Sequence, residues 1–222
     1  MRMVCVLLCV CVLFSCTGCT RSVSAIPRMG IVLIDPGHGG FDGGAVAEDG
    51  TTEKHLNLAI ALCVRDFLYV CGVPVEMTRT SDVGLEDKAS MSIREKKVSD
   101  MRNRLMMYNE ASLVIAIHQN QFSVPKYDGT QVFYSTNHLK SAVLAQSIRS
   151  SVIEWVQPQN TRQLKPATDG IYLLYHTETP AVLVECGFLS NPAERDKLKT
   201  PAYQQQLAFA VMAGYWDYQT KK

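Results

Sequence analysis

Between residues 30 and 218 the chain alternates short β-branched runs with longer amphipathic stretches. That alternation constrains the fold more than any other feature, because each strand–helix exchange favours a parallel sheet covered by helices. Ile31-Val32-Leu33-Ile34-Asp35 is a buried-strand run that stops at Pro36-Gly37. Leu56, Ile60, Cys63, Phe67 and Val70 then recur at helical spacing, and Gly72 follows as a stop. Further strands are expected over 73–78, 113–117, 130–134, 171–175 and 181–184, and further helices over 93–110, 144–155 and 203–218. The expectation is an α/β chain: a single three-layer domain, with a mixed, mostly parallel sheet of about six strands flanked by helices. Loops 79–92, 119–129 and 156–170 are polar and long enough to shape a cleft.

Residues 1–25 read differently. After Arg2 comes an unbroken apolar run from Met3 to Phe14, followed by Ser15-Cys16-Thr17-Gly18-Cys19. The run is shorter than the ~20 residues of a spanning helix. A basic residue, a short apolar run and small residues describe a secretory signal, with Val23-Ser24-Ala25 as a cleavage site. Lipid attachment at Cys16 or Cys19, or retention as a membrane anchor, are the alternatives. Export follows from each of them, and any membrane contact is assigned to this segment alone.

Composition removes several function classes. Lys+Arg number 22 against Asp+Glu 21, so no broad positive field exists to hold nucleic acid or an anionic bilayer. At 47% hydrophobic and 19% charged residues the chain can bury a core, which excludes a disordered chain. Of eight cysteines, only Cys63, Cys71 and Cys186 lie beyond the N-terminal segment. Cys63 and Cys71 fall in one expected helix about 12 Å apart along its axis, too far for a disulfide. The glycines at 37, 39, 40, 43 and 44 form neither GxGxxG nor GK[ST], so a tight backbone turn is a better reading than a phosphate cradle.

Three polar residues stand where strands are expected to end: His38, His118 and Glu185. Ligands of open α/β sheets bind beyond the carboxyl ends of strands, so these distant residues can converge. Glu53 opens the helix after the glycine-rich turn and can face the same place. Two imidazoles and a carboxylate suit a zinc ion with an open fourth position, and a further carboxylate can act as base. Spacing alone decides nothing, because no local ligand motif such as HExxH is present.

Four blocks add to this reading: Ile34-Asp35-Pro36-Gly37-His38-Gly39-Gly40, Glu53-Lys54-His55-Leu56-Asn57, Ile117-His118-Gln119-Asn120 and Val184-Glu185-Cys186-Gly187-Phe188-Leu189-Ser190-Asn191. Together, and in this order, they resemble the zinc-dependent N-acetylmuramoyl-L-alanine amidases of catalytic type 3, over residues 30–218. The segment from Lys97 to Leu105, with Asp100, Arg102, Asn103 and Arg104, further resembles the sporulation and germination branch that makes spore-cortex muramic lactam.

The resemblance implies one zinc ion per chain held by His38, Glu53 and His118, with Glu185 as the catalytic carboxylate. It implies hydrolysis of the amide between N-acetylmuramic acid and L-alanine in bacterial peptidoglycan. The branch assignment implies work in the forespore intermembrane space. Rival readings are a non-catalytic peptidoglycan-binding module and a zinc endopeptidase of the stem peptide.

Other residues carry further expectations. Arg79 has two readings, holder of a peptide carboxylate or surface ion pair. Gln119 and Asn120 are candidate substrate contacts. Gln119 and Gln121 stand where many relatives carry small residues and are expected to crowd the mouth of the site. Cys186, next to Glu185 on a strand, should point to the opposite face. His55 is expected to be exposed, and so are His138 and His176. The charged stretch within 94–110 reads as a solvated helix face or as the surface for a regulatory protein partner.

Overall fold

The computed structural model describes residues 30–87 and 92–221, so the N-terminal signal or anchor expected at 1–25 lies outside the described residues. The strands are β1 (Val32–Pro36), β2 (Val75–Met77), β3 (Leu113–Asn120), β4 (Gln131–Tyr134), β5 (Lys165–Pro166) and β6 (Ala181–Phe188). The helices are α1 (Glu53–Val70), α2 (Ile93–Glu110), α3 (Leu139–Trp155), α4 (Tyr172–His176), α5 (Pro192–Leu198) and α6 (Pro201–Thr220). One sheet of six strands runs in the order β2-β1-β3-β6-β4-β5. The β1–β2, β1–β3, β3–β6 and β4–β5 pairs are parallel, and β4–β6 is antiparallel. The three-layer, mostly parallel architecture is the one the alternation predicts.

Strand alternation sorts the two faces. Val32, Ile34, Ile115, Ile117, Val182 and Val184 point to one side and pack with Leu56, Ile60 and Val64 of α1, Leu144 and Ile148 of α3, and Leu207 and Val211 of α6. Leu33, Val114, Ala116 and Leu183 point to the other, against Tyr108 of α2 and Leu173 and Leu174 of α4. Continuing each strand by one alternation puts Asp35 after Leu33, His118 after Ala116 and Glu185 after Leu183, all toward the α2–α4 side. The fold thereby delivers three polar residues from three adjacent strands to one spot. Cys186 faces the opposite core and is fully buried, as expected. Cys63, Cys71 and Cys186 are all free, with Cys71 exposed.

Several local expectations change. Residues 171–175 do not form a strand: Tyr172–His176 is a single helical turn, α4. A short apolar run does not by itself distinguish the two, and here it seats Leu173 and Leu174 on the sheet instead of extending it. The 156–170 loop contains the two-residue strand β5, and the loop after β6 contains α5, capped by the Asn191 side chain. Strands β3 and β6 run past their expected ends, so His118 and Glu185 are paired within the sheet, one opposite the other. Helix α2 begins with a Ser92–Glu95 capping box, but its charged sequence is not wholly solvated. Asp100 and Arg104 are buried against the sheet. Among the described residues no helix is long and apolar enough to cross a membrane.

Candidate metal centre at the carboxyl end of the sheet

Glu53 is the first residue of α1, so its side chain projects from the helix start toward the ends of β1 and β3. It is 4% exposed. Its Oε1 lies 3.0 Å from His118 Nδ1, and its Oε2 lies 3.2 Å from His38 Nε2. The backbone N–H groups of Ala45 and Gln119 and the Asn57 side chain also donate to this carboxylate, at 2.8, 3.1 and 3.2 Å. Burial alone would raise the Glu53 pKa. The hydrogen bonds and charges of the two histidines overcome it and hold the group well below the usual carboxylate range.

His38 follows the β1 strand with φ of 62°, and it is the only non-glycine residue at positive φ among the described residues. Its Nδ1 is 3.0 Å from Asp42 Oδ2, which leaves Nε2 facing Glu53. Burial would lower the His38 pKa, but the Asp42 and Glu53 carboxylates raise it to about 9. The His38 and His118 rings meet edge to face with centroids 5.1 Å apart. Gly44 makes room for this arrangement. A Cβ there would stand 2.6 Å from Glu53 Oε2 and 2.7 Å from His38 Cδ2, on a backbone with φ of 68°.

His38, Glu53 and His118 each offer one ligand atom within 4.8 Å of the other two. Two neutral imidazole nitrogens and one carboxylate oxygen are a donor set that suits a catalytic zinc ion. Beside them, Glu185 is partly buried and its Oε2 is shielded from solvent with no hydrogen-bond partner. A buried carboxylate oxygen without a donor calls for a missing partner: a proton, a cation or water. Burial, with the Glu53 charge adding and His38 opposing, pushes the Glu185 carboxyl up to about 8. The residues present therefore fit a bound cation with an adjacent proton carrier. A cavity of about 260 Å³ opens on this group, walled by Met101 and Tyr108 of α2 and by Ile171 to Leu174.

The structure places the other residues singled out in the sequence as follows. Arg79 is 3% exposed, and its guanidinium donates to the backbone carbonyls of Pro36, Gly37, Lys54 and Ser81. It is neither a surface ion pair nor open to a substrate carboxylate. Gln119 is 3% exposed and does not crowd the mouth: alternation turns it to the α1 side, where it donates to Asn57. Gln121 is exposed and reaches toward the Val46 carbonyl. Asn120 is half-buried at the end of β3, where its carbonyl accepts from Leu189. His55 is exposed beside Thr52 and Asp82. His138 caps α3, and His176 packs on Tyr172 and Tyr175.

Sequence reasoning passes over Asp42, which orients His38, and Asp35. The Asp35 carboxylate is fully buried and accepts from Arg104, Thr78 and Tyr108. Burial alone would raise it, but Arg104 and the two hydroxyls hold it below the usual range. An aspartate closing a strand of apolar residues is the sequence signal for such a group, because an ionised side chain there needs partners.

Known proteins resemble this chain over most of its length. The chain is 37% identical over 201 residues to the germination-specific N-acetylmuramoyl-L-alanine amidase of Bacillus subtilis (strain 168), covering 89% of this chain and 84% of that one. It is 26% identical to the amidase AmiA of Salmonella typhimurium, covering 85% and 75%. The CwlD amidase of Clostridioides difficile, solved in complex with the GerS lipoprotein, superposes with a TM-score of 0.83 at 36% identity, covering 87% of this chain and all of that one. Residues 32–215 match the sequence profile of the N-acetylmuramoyl-L-alanine amidases, Amidase_3. With that match spanning β1 through α6, the chain belongs to the N-acetylmuramoyl-L-alanine amidase family and is an enzyme of bacterial peptidoglycan.

Proposed function

We propose that His38, Glu53 and His118 hold one zinc ion and that Glu185 is the catalytic carboxylate for hydrolysis of the amide joining N-acetylmuramic acid to L-alanine. The observation that carries this reading is the unpartnered Glu185 Oε2 beside a three-donor cage. Bound there, zinc supplies Lewis acidity, polarising the scissile carbonyl and lowering the pKa of water to about 7.

The chain's own groups do the rest. Glu185 takes the proton of the attacking water and hands it to the departing alanine nitrogen. Burial favours the protonated form of this carboxyl, so it can keep the proton between the two transfers. Asp42 keeps the His38 ring turned, and the apolar walls given by Met101, Leu173 and Leu174 limit water around the reacting amide.

Likeness to the germination-specific relative supports a spore-cortex substrate, with work in cortex maturation and germination. On this reading the chain acts outside the cytoplasm, in the forespore intermembrane space. The complex of the C. difficile relative with a lipoprotein supports a regulatory protein partner for this chain. The outward residues of α2, such as Arg94, Val98, Arg102 and Met106, are the face we assign to it.

Digestion of intact sacculi by the purified chain tests the activity. Mass spectrometry should show free lactyl carboxyls on muramic acid and free L-alanine amino termini, abolished by chelator and restored by zinc. Cut peptide bonds with muramoyl-alanine linkages intact would overturn the assignment.

A further inference from the structure

Two guanidinium groups enclose the segment that carries His38. Arg79, after β2, donates from Nε to Pro36 O at 2.9 Å, and from Nη2 to Gly37 O at 2.9 Å and Lys54 O at 3.0 Å. Arg104, on α2, donates from Nη1 to Asp35 Oδ1 and Pro36 O, from Nη2 to His38 O at 2.7 Å, and from Nε to Asp100 Oδ2 at 2.7 Å. They are 3% and 1% exposed. Between them they hold three successive carbonyls, those of Pro36, Gly37 and His38. Arg79 also ties this segment to Lys54, the neighbour of Glu53.

Neither arginine touches the metal-facing atoms, and charge balance alone does not require this geometry. Asp35 and Asp100 could be neutralised by any cation. Only a planar fork with several fixed donors can also serve backbone carbonyls on different sides at once. Those carbonyls belong to a turn in which His38 adopts φ of 62°, a conformation that costs a residue with a Cβ free energy unless its surroundings hold it.

We infer that Arg79 and Arg104 are positioning residues that preorganise the His38 turn for metal binding. Arg104 sets the carbonyl of His38 from the α2 side, and Arg79 fixes the turn against the start of α1. This inference rests on the zinc reading of the site. A wild-type chain that binds no zinc defeats that reading, whereas altered arginines that leave zinc affinity intact defeat only the clamp.

The test separates charge balance from positioning. Arg104→Met alone strands Asp35 in the interior and can unfold the domain. The triple variant Arg104→Met/Asp35→Asn/Asp100→Asn removes the guanidinium together with both buried carboxylates it pairs with, and Arg104→Lys keeps the charge but loses the fork. Arg79→Lys is the matching change on the other side. Zinc affinity is measured on each purified full-length chain by competition with a chromogenic chelator. Hydrogen exchange over residues 36–44 is followed on the metal-free protein.

The expected result is a folded chain in each case, with cooperative thermal unfolding kept by the triple variant, in which no buried carboxylate loses its cation. Zinc affinity should fall 10–100-fold in all three, the scale for groups that orient metal ligands. Exchange over 36–44 should accelerate. A folded variant with wild-type zinc affinity would overturn the role of the arginine it replaces. Failure of all three to fold would make the arginines determinants of the fold and overturn the positioning role as well.

Discussion

The Glu53 Oε1 oxygen lies 3.0 Å from His118 Nδ1, across 65 residues of sequence, and its other oxygen faces His38. One carboxylate from the start of a helix thus joins an imidazole on β3 to one in the turn after β1. Glu53→Gln keeps the shape but replaces one acceptor oxygen by an amide and removes the charge. The expected outcome is a folded chain whose zinc affinity falls by more than about 100-fold, beyond the loss typical of outer-shell changes. Zinc titration with amide release from muropeptides checks it. Unchanged affinity would remove Glu53 from the ligand set.

Glu185 carries a prediction about stability that is independent of turnover. Its folded pKa of about 8 exceeds the ordinary glutamate value, so the metal-free folded state keeps a proton that the unfolded chain releases. Stability then falls as pH rises from about 4.5 toward 8, because the native state binds more protons there. Glu185→Gln removes that loss. Metal-free Glu185→Gln should melt several degrees above metal-free wild type at pH 8, and the gap should close near pH 4. With zinc, the variant should bind metal while turnover falls about 10²–10⁴-fold, the usual worth of a positioned acid–base group. Calorimetry in chelator reads the first and product analysis the second; equal melting at pH 8 would refute the buried-proton argument.

Asp42 is expected to set the pH dependence of metal uptake. In the metal-free protein its carboxylate and that of Glu53 hold the His38 pKa at about 9, so His38 carries a proton at neutral pH. Metal must displace that proton, and affinity should rise with pH until about 9. Asp42→Asn weakens the hold on the ring and removes a charge. The break in the affinity profile should move down toward the ordinary imidazole value near 6.5. Affinity at pH 9 should fall about 10–100-fold because the ring is no longer held in place. Zinc titrations from pH 6 to 10 decide it, and superimposable profiles for the two proteins would be the contrary result.

The fold was more legible in the sequence than the site, and the reason is range. Helical spacing in Leu56, Ile60 and Val64 or a run such as Val32-Leu33-Ile34 is contained in a local window. The meeting of His38, His118 and Glu185 depends on β1, β3 and β6 being neighbours, which no window contains. The strand-end positions of the three residues allow it, and the motif blocks point to it. Arg104 shows the opposite failure: in a helix dense with charge it reads as solvated, yet Asp100, Arg104 and Tyr108 recur every fourth residue and form one buried face. That spacing, together with a lone aspartate at the end of β1, was the available signal. The segment 171–175 misled because five apolar and aromatic residues fit a strand or a helical turn equally well.

Gly44 allows crowding at the centre to be separated from backbone strain. Gly44 and Gly50 both have positive φ, 68° and 82°, so alanine at either pays the same kind of penalty, roughly 1–2 kcal/mol. They differ in what a Cβ would meet. At Gly50 nothing lies within 4 Å, while at Gly44 the new atom would press on Glu53 Oε2 and His38 Cδ2. Gly50→Ala should therefore lower the melting temperature by a few degrees and leave zinc affinity within about twofold of wild type. Gly44→Ala should lower the melting temperature by at least as much and also weaken zinc binding at least 10-fold, because Glu53 and His38 must both move to admit the methyl group. Zinc titrations of the two variants side by side read the difference. Equal affinities would mean that the His38–Glu53 pair tolerates displacement, and that close packing around Gly44 is not what fixes the metal ligands.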